Sequence, residues 1–180
     1  MCTAHAACEL THFQLNEVDT MNTEQKLIDL MNDFDTAMLV TRGEREDLEA
    51  RPMAIAKIED DGQIWFVTDR HSGKVSELKA DANVVLAMQS SNKFVSLTGV
   101  AAIIDDRAQL DELWNEAWKV WFPDGKSSES ITLVRVRPTH GQYWDNSGLS
   151  GIKYLIKAGN AYLHGDRPEV DEKINASITM

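Results

Sequence analysis

The sequence predicts a mainly β protein, a small closed or nearly closed antiparallel barrel with flanking helices. About six short segments rich in β-branched and aromatic residues follow one another between positions 36 and 144, several of them separated by turn-forming sequences. Helical periodicity is confined to a few segments around and between them. Neither a GxGxxG nor a Walker sequence favours the alternative of a doubly wound α/β sheet.

The first third of the chain predicts one helix followed by an antiparallel meander. Asn22 and Gln25 form a capping pattern, and apolar residues recur at helical spacing, so we expect a helix over 23–33. Three β-like runs follow, and a Glu-Asp-Asp-Gly turn before Gln63 favours a hairpin between the last two. The predicted strands are 36–41, 52–58 and 63–68, and the charged segment 42–50 is a predicted solvated loop.

The remaining elements follow the same logic. We expect a short helix over 74–80 and strands over 84–89 and 94–104; alternate residues of the longer strand are apolar or small, and Gly99 permits a bend or close backbone approach. Tryptophans and leucines at helical spacing predict the strongest helix over 110–121, ended by Pro123-Asp124-Gly125. A last strand over 131–144 and a short helix over 152–163 complete the prediction.

Length and charge limit the organisation and the partners of the chain. A chain of 180 residues has room for one well-buried core. We therefore expect one domain over 21–165, with a flexible extension over 1–20 and a polar tail over 166–180. The 18 Lys and Arg against 29 Asp and Glu give a net charge of −11, which disfavours nucleic acid and anionic membranes as partners.

Cysteine usage and hydropathy point to the cytoplasm. The two cysteines, Cys2 and Cys8, lie in the expected extension, and a core of this size needs no disulfide scaffold. No apolar run is as long as a membrane span, and residues 1–20 lack the pattern of a signal peptide. Cytoplasmic localisation is the resulting expectation.

One cluster of residues has the chemistry of a phosphate site. Arg51 opens one predicted strand, whereas Ser72 and Lys74 follow the end of its hairpin partner, so the three side chains can meet at one barrel rim. Arginine offers a fork of donors, lysine a point charge and serine a hydroxyl, and the start of a helix adds positive potential. For each residue alone, an ordinary surface residue or helix cap is the better explanation, and only their joint placement favours a phosphate site.

Other chemistry-bearing residues form no recognisable site. His71, His140 and His164 lack metal-ligand spacing, so we predict no metal. The paired acids fit turns and helix starts better than catalysis, and no Ser-His-Asp or Cys-His arrangement stands out. Trp114, Trp118 and Trp121 are explained most simply as core or dimer-contact residues.

The order and spacing of several motifs resemble the pyridoxamine 5′-phosphate oxidase-like family of FMN-binding split barrels, in particular its general stress protein 26-like branch. The resemblance covers about 22–165. Its motifs are the first helix, Arg-Pro-Met at 51–53, Phe-Val-Thr and Ser-x-Lys within 66–74, the 95–99 strand, the 114–125 segment and Gln-Tyr-Trp-Asp at 142–145.

The resemblance implies a cofactor, an assembly and site residues. FMN would lie at the two-fold interface of a homodimer, so that the second subunit completes each site. By the same resemblance, Arg51, Ser72 and Lys74 would hold the FMN phosphate. Met53, Val67 and Thr68 would lie along the flavin ring, and Trp121 or Trp144 would stack on it or shield it.

Departures from the family pattern leave the function open. Pyridoxamine phosphate oxidases carry a substrate-phosphate lysine where this chain has Ala56, with Lys57 on the other strand face, and their Arg-Lys pair is reduced to Gly73-Lys74. Vitamin B6 oxidation is therefore not expected. The alternatives are an FMN-dependent oxidoreductase acting on an unidentified small molecule with a nicotinamide or other donor, a non-catalytic flavin-binding, storage or sensing module, and a scaffold without ligand. FMN is the expected cofactor, with a deazaflavin or a haem-type ligand in the same barrel as an alternative.

Overall fold

The computed structural model of this protein describes residues 23–147 and 175–180. Helix α1 covers 23–31. Two short 3₁₀ segments cover Glu116–Val120 and Gly125–Ser127. The other elements, in chain order, are β1 (Thr36–Arg42), β2 (Leu48–Ile58), β3 (Ile64–Asp69), α2 (Gly73–Ala80), β4 (Asn83–Gln89), β5 (Lys93–Ile104), α3 (Arg107–Leu113), β6 (Ile131–Asp145) and β7 (Asn175–Thr179).

The strands form a closed six-stranded antiparallel barrel in the order β3-β2-β1-β4-β5-β6, and a β3–β6 pairing closes the ring. Closure is possible because β6 is 15 residues long and serves several neighbours. Its first part pairs with β3, from Ile131 to Val136, and its second part pairs with β7, from His140 to Trp144. The predicted fold class, a mainly β barrel with flanking helices, is confirmed.

Sequence periodicity in β5 matches the barrel wall. Val95, Leu97, Gly99 and Ala101 are buried, while most residues between them are half-buried or exposed. The β5–β6 register shifts between Thr98 and Gly99. A Cβ atom on Gly99 would lie 2.5 Å from the backbone carbonyl oxygen of Arg137, so glycine permits the close backbone approach there, as predicted.

Two apolar clusters lie on opposite faces of the barrel wall. Adjacent residues of a strand point to opposite faces, and Phe66 belongs to the interior cluster whereas Trp65 belongs to the outer one. The interior cluster includes Leu27 and Met31, so α1 buries its apolar face in the barrel core. The outer cluster joins Leu110 and Leu113 of α3 to the outside of the strands. The flanking elements are thereby fixed to the barrel.

The long tryptophan-containing helix expected over 110–121 is wrong in its extent. Helix α3 ends at Leu113, since Trp114 has φ −59° and ψ 131°, outside the helical region. Asn115 then caps a 3₁₀ segment, its side chain accepting a hydrogen bond of 2.9 Å from the backbone nitrogen of Ala117. Across the break, the rings of Trp114 and Trp118 meet edge to face with centroids 5.8 Å apart.

Three smaller differences concern element boundaries. Helix α1 ends at residue 31 rather than 33. Leu48–Ala50, expected in the solvated loop, extend β2 because they pair with the end of β1, although their side chains are exposed. Residues 175–179, expected in a polar tail, form β7 and bury Ile178 in the core. The expected helix over 152–163, residues 1–20 and both cysteines lie outside the described residues.

Candidate functional site

A cavity of about 500 Å³ lies beside the outer apolar cluster. Its lining residues come from the strands β1 to β3, from the start of α2, and from the first 3₁₀ segment and the residues after it. Val67 and Phe122 belong both to the cavity wall and to the outer cluster. The lining residues are Thr36, Pro52, Met53, Ala54, Val67, Thr68, Asp69, Lys74, Trp118, Trp121 and Phe122.

A cation stands at the end of the cavity formed by α2. Lys74 is half-buried, and its Nζ donates a 3.0 Å hydrogen bond to Oγ1 of Thr68. Burial lowers the pKa of Lys74 below its ordinary value of 10.5, and the charge of Arg51 lowers it further, while Asp69 and Glu77 act in the opposite direction. The ammonium is thus poorly solvated, so a negatively charged ligand beside it would stabilise it.

Ser72 opens α2 without using its side chain as a cap. The hydroxyl of Ser72 donates a 2.7 Å hydrogen bond to the carbonyl oxygen of Asp69, and the backbone nitrogen of Ser72 contacts the same oxygen at 3.1 Å. The carboxylate of Asp69 accepts a 2.7 Å bond from the backbone nitrogen of His71. These bonds fix the turn that carries Lys74 into the cavity.

Arg51, which directly precedes the lining residue Pro52, belongs to a charged network. Nη2 of Arg51 donates hydrogen bonds to Glu77 at 2.8 Å and to Glu49 at 3.0 Å. Nη1 donates to the hydroxyl of Thr41. The side chain of Arg51 is 18% exposed, and its charge contributes to the lowered pKa of Lys74.

The structure gathers most of the residues singled out from sequence. Five line the cavity: Met53, Val67, Thr68, Lys74 and Trp121. Arg51 and Ser72 are not among the lining residues; Arg51 directly precedes Pro52 of the lining, and Ser72 stands two residues before Lys74. Trp144, the alternative to Trp121, is half-buried on β6 opposite Phe94 and does not line the cavity.

Three aromatic residues contribute to the cavity lining. Trp118 is 8% exposed and Trp121 is 66% exposed, although both line the cavity. The exposed indole of Trp121 shows that the cavity reaches the protein surface. A planar ligand could therefore enter at Trp121 and pack against apolar surface further in.

Several residues of this region were not predicted from the sequence. Trp118 and Phe122 line the cavity, and their only signal was the aromatic spacing shared with Trp121. Thr41 and Glu77 bind Arg51, yet in sequence Thr41 is an ordinary strand residue and Glu77 an ordinary helix acid. Strand pairing brings Thr41 to Arg51 and helix docking brings Glu77 to Arg51, and neither contact has a signal in the sequence. The unselected residues are Thr36, Thr41, Pro52, Ala54, Asp69, Glu77, Trp118 and Phe122.

The expectation that Ala56 and Lys57 lie on opposite faces of β2 is wrong. Ala56 packs in the outer cluster, and Nζ of Lys57 forms a 3.0 Å ion pair with Glu112 of α3 on the same side of the barrel. A register shift between Ile55 and Lys57 explains this arrangement, because a bulge interrupts the alternation of side chains. Neither residue lines the cavity.

Within residues 23–147 and 175–180, no group of three or more His, Cys, Asp or Glu side chains could hold a metal ion. No helix formed by these residues combines the length and the apolar character required to cross a membrane.

The closed barrel with its flanking helices and cavity defines the split-barrel class of proteins. The family described as pyridoxamine 5′-phosphate oxidase like matches residues 22–169, and this chain belongs to that family. The family match spans all the cavity-lining residues.

Known relatives agree with this assignment. The general stress FMN/FAD binding protein from Xanthomonas citri is 32% identical; the match covers 72% of this chain and 92% of that one, with a TM-score of 0.62. A protein assigned as general stress protein 26, from Jannaschia sp. CCS1, has a TM-score of 0.67 at 23% identity, with 89% and 99% of the chains covered. Protein bli-3 of Neurospora crassa is 29% identical over 135 residues, 67% of this chain and 65% of that protein.

Proposed function

We propose that this chain binds FMN in the cavity beside α2 and that the bound flavin exchanges electrons with a small molecule. The observation that carries the proposal is the combination of a half-buried cation, Lys74, with a long apolar and aromatic wall in one cavity of about 500 Å³. FMN has the matching chemistry, because it joins a phosphate to a planar, largely apolar ring system. The FMN/FAD binding protein from Xanthomonas citri, similar over 72% of this chain, supports the same ligand class.

The phosphate end of the ligand belongs at the start of α2. Lys74 supplies a point charge there, Arg51 supplies a fork of donors behind it, and Ser72 supplies a hydroxyl that now binds the carbonyl oxygen of Asp69. Backbone N–H groups at a helix start favour the same anion. A phosphate at this end also relieves the cost of burying the ammonium of Lys74.

The ring end belongs between the strands and the aromatic wall. Met53, Val67 and Thr68 provide the strand side, and Trp121 provides an exposed indole on the opposite side. A bound flavin supplies electron and hydride transfer when it is held there. The chain itself binds the phosphate, orients the ring and excludes water from one face, which explains why no acid, base or nucleophile emerged from the sequence.

We further propose a homodimer in which a second copy covers the mouth of the cavity. Val120 is 73% exposed and Trp121 is 66% exposed, so two large apolar side chains lie next to each other at the surface beside the cavity. Burial of these side chains against a second subunit would remove apolar area from water and shield the ring of the flavin.

The site is tested by binding of two ligands that differ by the phosphate alone. Lys74→Met should weaken FMN binding by about tenfold, the value of one charge-assisted contact, and should leave riboflavin binding nearly unchanged. Lys79→Met is the matched control, because Lys79 lies in the last turn of the same helix and is exposed. Equal loss of both ligands in the Lys74 variant would contradict the phosphate assignment.

The electron-transfer part is tested separately. The absorption spectrum and extracted ligand of the purified protein identify a flavin, a deazaflavin or a haem. Anaerobic mixing of the FMN-loaded protein with NADH and with NADPH should then bleach the flavin absorbance with at least one donor. If NADH, NADPH and synthetic analogues of these donors all fail to bleach the flavin absorbance rapidly, the storage or sensing alternative is favoured.

A further inference from the structure

The guanidinium of Arg51 is held by two buried residues from different elements. Its Nη1 donates to the hydroxyl of Thr41 on β1, and its Nη2 donates to Oε2 of Glu77 on α2 at 2.8 Å. The hydroxyl of Thr41 in turn donates to the same Oε2 atom at 2.5 Å. The three side chains therefore form one closed network that spans β1, β2 and α2.

The network is costly unless it is complete. Thr41 is 1% exposed and Glu77 is 8% exposed, and a buried carboxylate or hydroxyl without a partner carries a large desolvation penalty. Within the network each of the three side chains has hydrogen-bond partners, and Nη1 and Nη2 of Arg51 are both fixed in direction. Glu49, the third partner of Arg51, is 53% exposed, so solvent screens that pair and it contributes less to the orientation.

We infer that Thr41 and Glu77 are positioning residues that hold Arg51 towards the phosphate of the ligand and thereby select phosphorylated flavin over riboflavin. This inference rests on the proposed function, since it concerns the same phosphate end of the cavity. Arginine has more N–H donors than these contacts use, so a phosphate can be bound while Thr41 and Glu77 keep the guanidinium in place. Pre-organisation of this kind raises affinity because the side chain loses little freedom on binding.

Thr41 offers the cleaner test because its replacement changes no charge. Thr41→Val keeps the shape of the side chain and removes the hydroxyl, whereas Thr41→Ser keeps the hydroxyl. Dissociation constants of FMN and riboflavin are measured for the full chain, with circular dichroism and thermal unfolding of the apoprotein as folding controls. We expect Thr41→Val to weaken FMN by about tenfold and riboflavin by less than about twofold, and Thr41→Ser to retain most of the FMN affinity.

A double-mutant cycle with Arg51→Lys separates positioning from general packing. Lysine keeps the charge but has no fork to orient, so Thr41→Val should cause little further loss of FMN affinity in the Arg51→Lys background. The positioning role would be overturned if Thr41→Val lowered the affinities for FMN and riboflavin equally. It would also be overturned if Thr41→Val lowered FMN affinity as much in the Arg51→Lys background as in the wild type. If Thr41→Val fails to fold, Thr41→Ala removes the same hydroxyl without adding a methyl group beside the charges, and its expected ratio of ligand affinities is the same.

Failure of the underlying function gives a different result. If Arg51→Lys and Lys74→Met both leave the ratio of FMN to riboflavin affinity unchanged, the phosphate lies elsewhere and the proposed site is wrong. If those variants lower the ratio and Thr41→Val does not, the site stands and only the positioning role is refuted.

Discussion

The ammonium of Lys74 donates a hydrogen bond to the hydroxyl of Thr68 across 3.0 Å, which ties the first turn of α2 to β3 inside the cavity. Thr68 is 4% exposed, so this bond lies at the buried side of the ammonium. The cation therefore has a neutral partner in the protein, and its charge is left for a ligand.

FMN affinity should fall at alkaline pH before ordinary lysines titrate. The pKa of Lys74 is lowered from 10.5, chiefly by burial and then by Arg51, so the free protein loses this proton below pH 10.5. Phosphate binding requires the protonated form, and the ratio of FMN to riboflavin affinity should decline in that range. Ionisation of the flavin ring affects the affinities of both ligands alike, so it cancels in the ratio. Lys74→Arg should remove the decline, and an identical decline in this variant would contradict the assignment.

The same shift gives the opposite trend for stability of the apoprotein. Because the folded-state pKa of Lys74 lies below its unfolded value, burying the charged form costs free energy at low and neutral pH. The cost is relieved as the pH rises through the folded pKa towards 10.5. In urea unfolding, the stability of the wild type relative to Lys74→Met should rise over this range. A relative stability that does not change with pH would contradict the expectation.

Gly99 should tolerate no side chain. A Cβ atom there would lie 2.5 Å from the carbonyl oxygen of Arg137, which belongs to the backbone and has little room to move. Gly99→Ala should lower the free energy of unfolding by about 2 kcal/mol or more. Gly73→Ala is the control, since its Cβ would meet only the carboxylate of Glu77 at 3.5 Å, and it should change stability by less than about 1 kcal/mol. Equal effects of the two variants would contradict the β5–β6 packing.

Two tryptophans of the cavity wall should separate stability from binding. Trp118 is 8% exposed and packs against Trp114, so Trp118→Ala should cost about 3 kcal/mol in chemical unfolding. Trp121 is 66% exposed, and Trp121→Ala should alter the stability of the monomer by about 0.5 kcal/mol or less. The Trp121 variant should nevertheless bind FMN more weakly; unchanged affinity for the flavin would exclude Trp121 from the site.

Removal of Arg51 should leave Glu77 as an uncompensated buried charge. Arg51→Met should therefore destabilise the protein by about 3 kcal/mol at neutral pH. Glu77→Gln in the same chain removes the charge but keeps an acceptor for Thr41, so the double variant should be more stable than Arg51→Met alone. Thermal and urea unfolding measure both, and a double variant that is no more stable would show that Glu77 does not depend on Arg51.

Local sequence chemistry accounts for the parts of the fold that were predicted correctly. The hairpin before β3 follows from Gly62, which has φ +78° and so takes a conformation that other residues rarely adopt. The alternation in β5 follows from burial of one strand face. The long helix over 110–121 was predicted wrongly because the tryptophans repeat at helical spacing, whereas Trp114 leaves the helical conformation and Asn115 caps a separate 3₁₀ segment.

The candidate site was predictable only where its residues carry chemistry of their own. Lys74 and Arg51 are recognisable as candidates by their charge, and Trp121 is recognisable by its aromatic ring. Their buried partners do not, because a threonine in a strand and a glutamate in a helix have many ordinary explanations. Contact between Thr41 and Glu77 depends on how α2 docks against β1, which no local pattern specifies.

The length of β6 has a consequence for synthesis of the chain. Strands β3 and β5 each have one neighbour until β6 arrives, since β6 supplies the second partner of both. A ribosome-bound chain that has not yet released residues 131–145 therefore carries two unpaired sheet edges. Such edges are templates for association with other chains, so the nascent protein should depend on chaperone shielding until its sixth strand emerges.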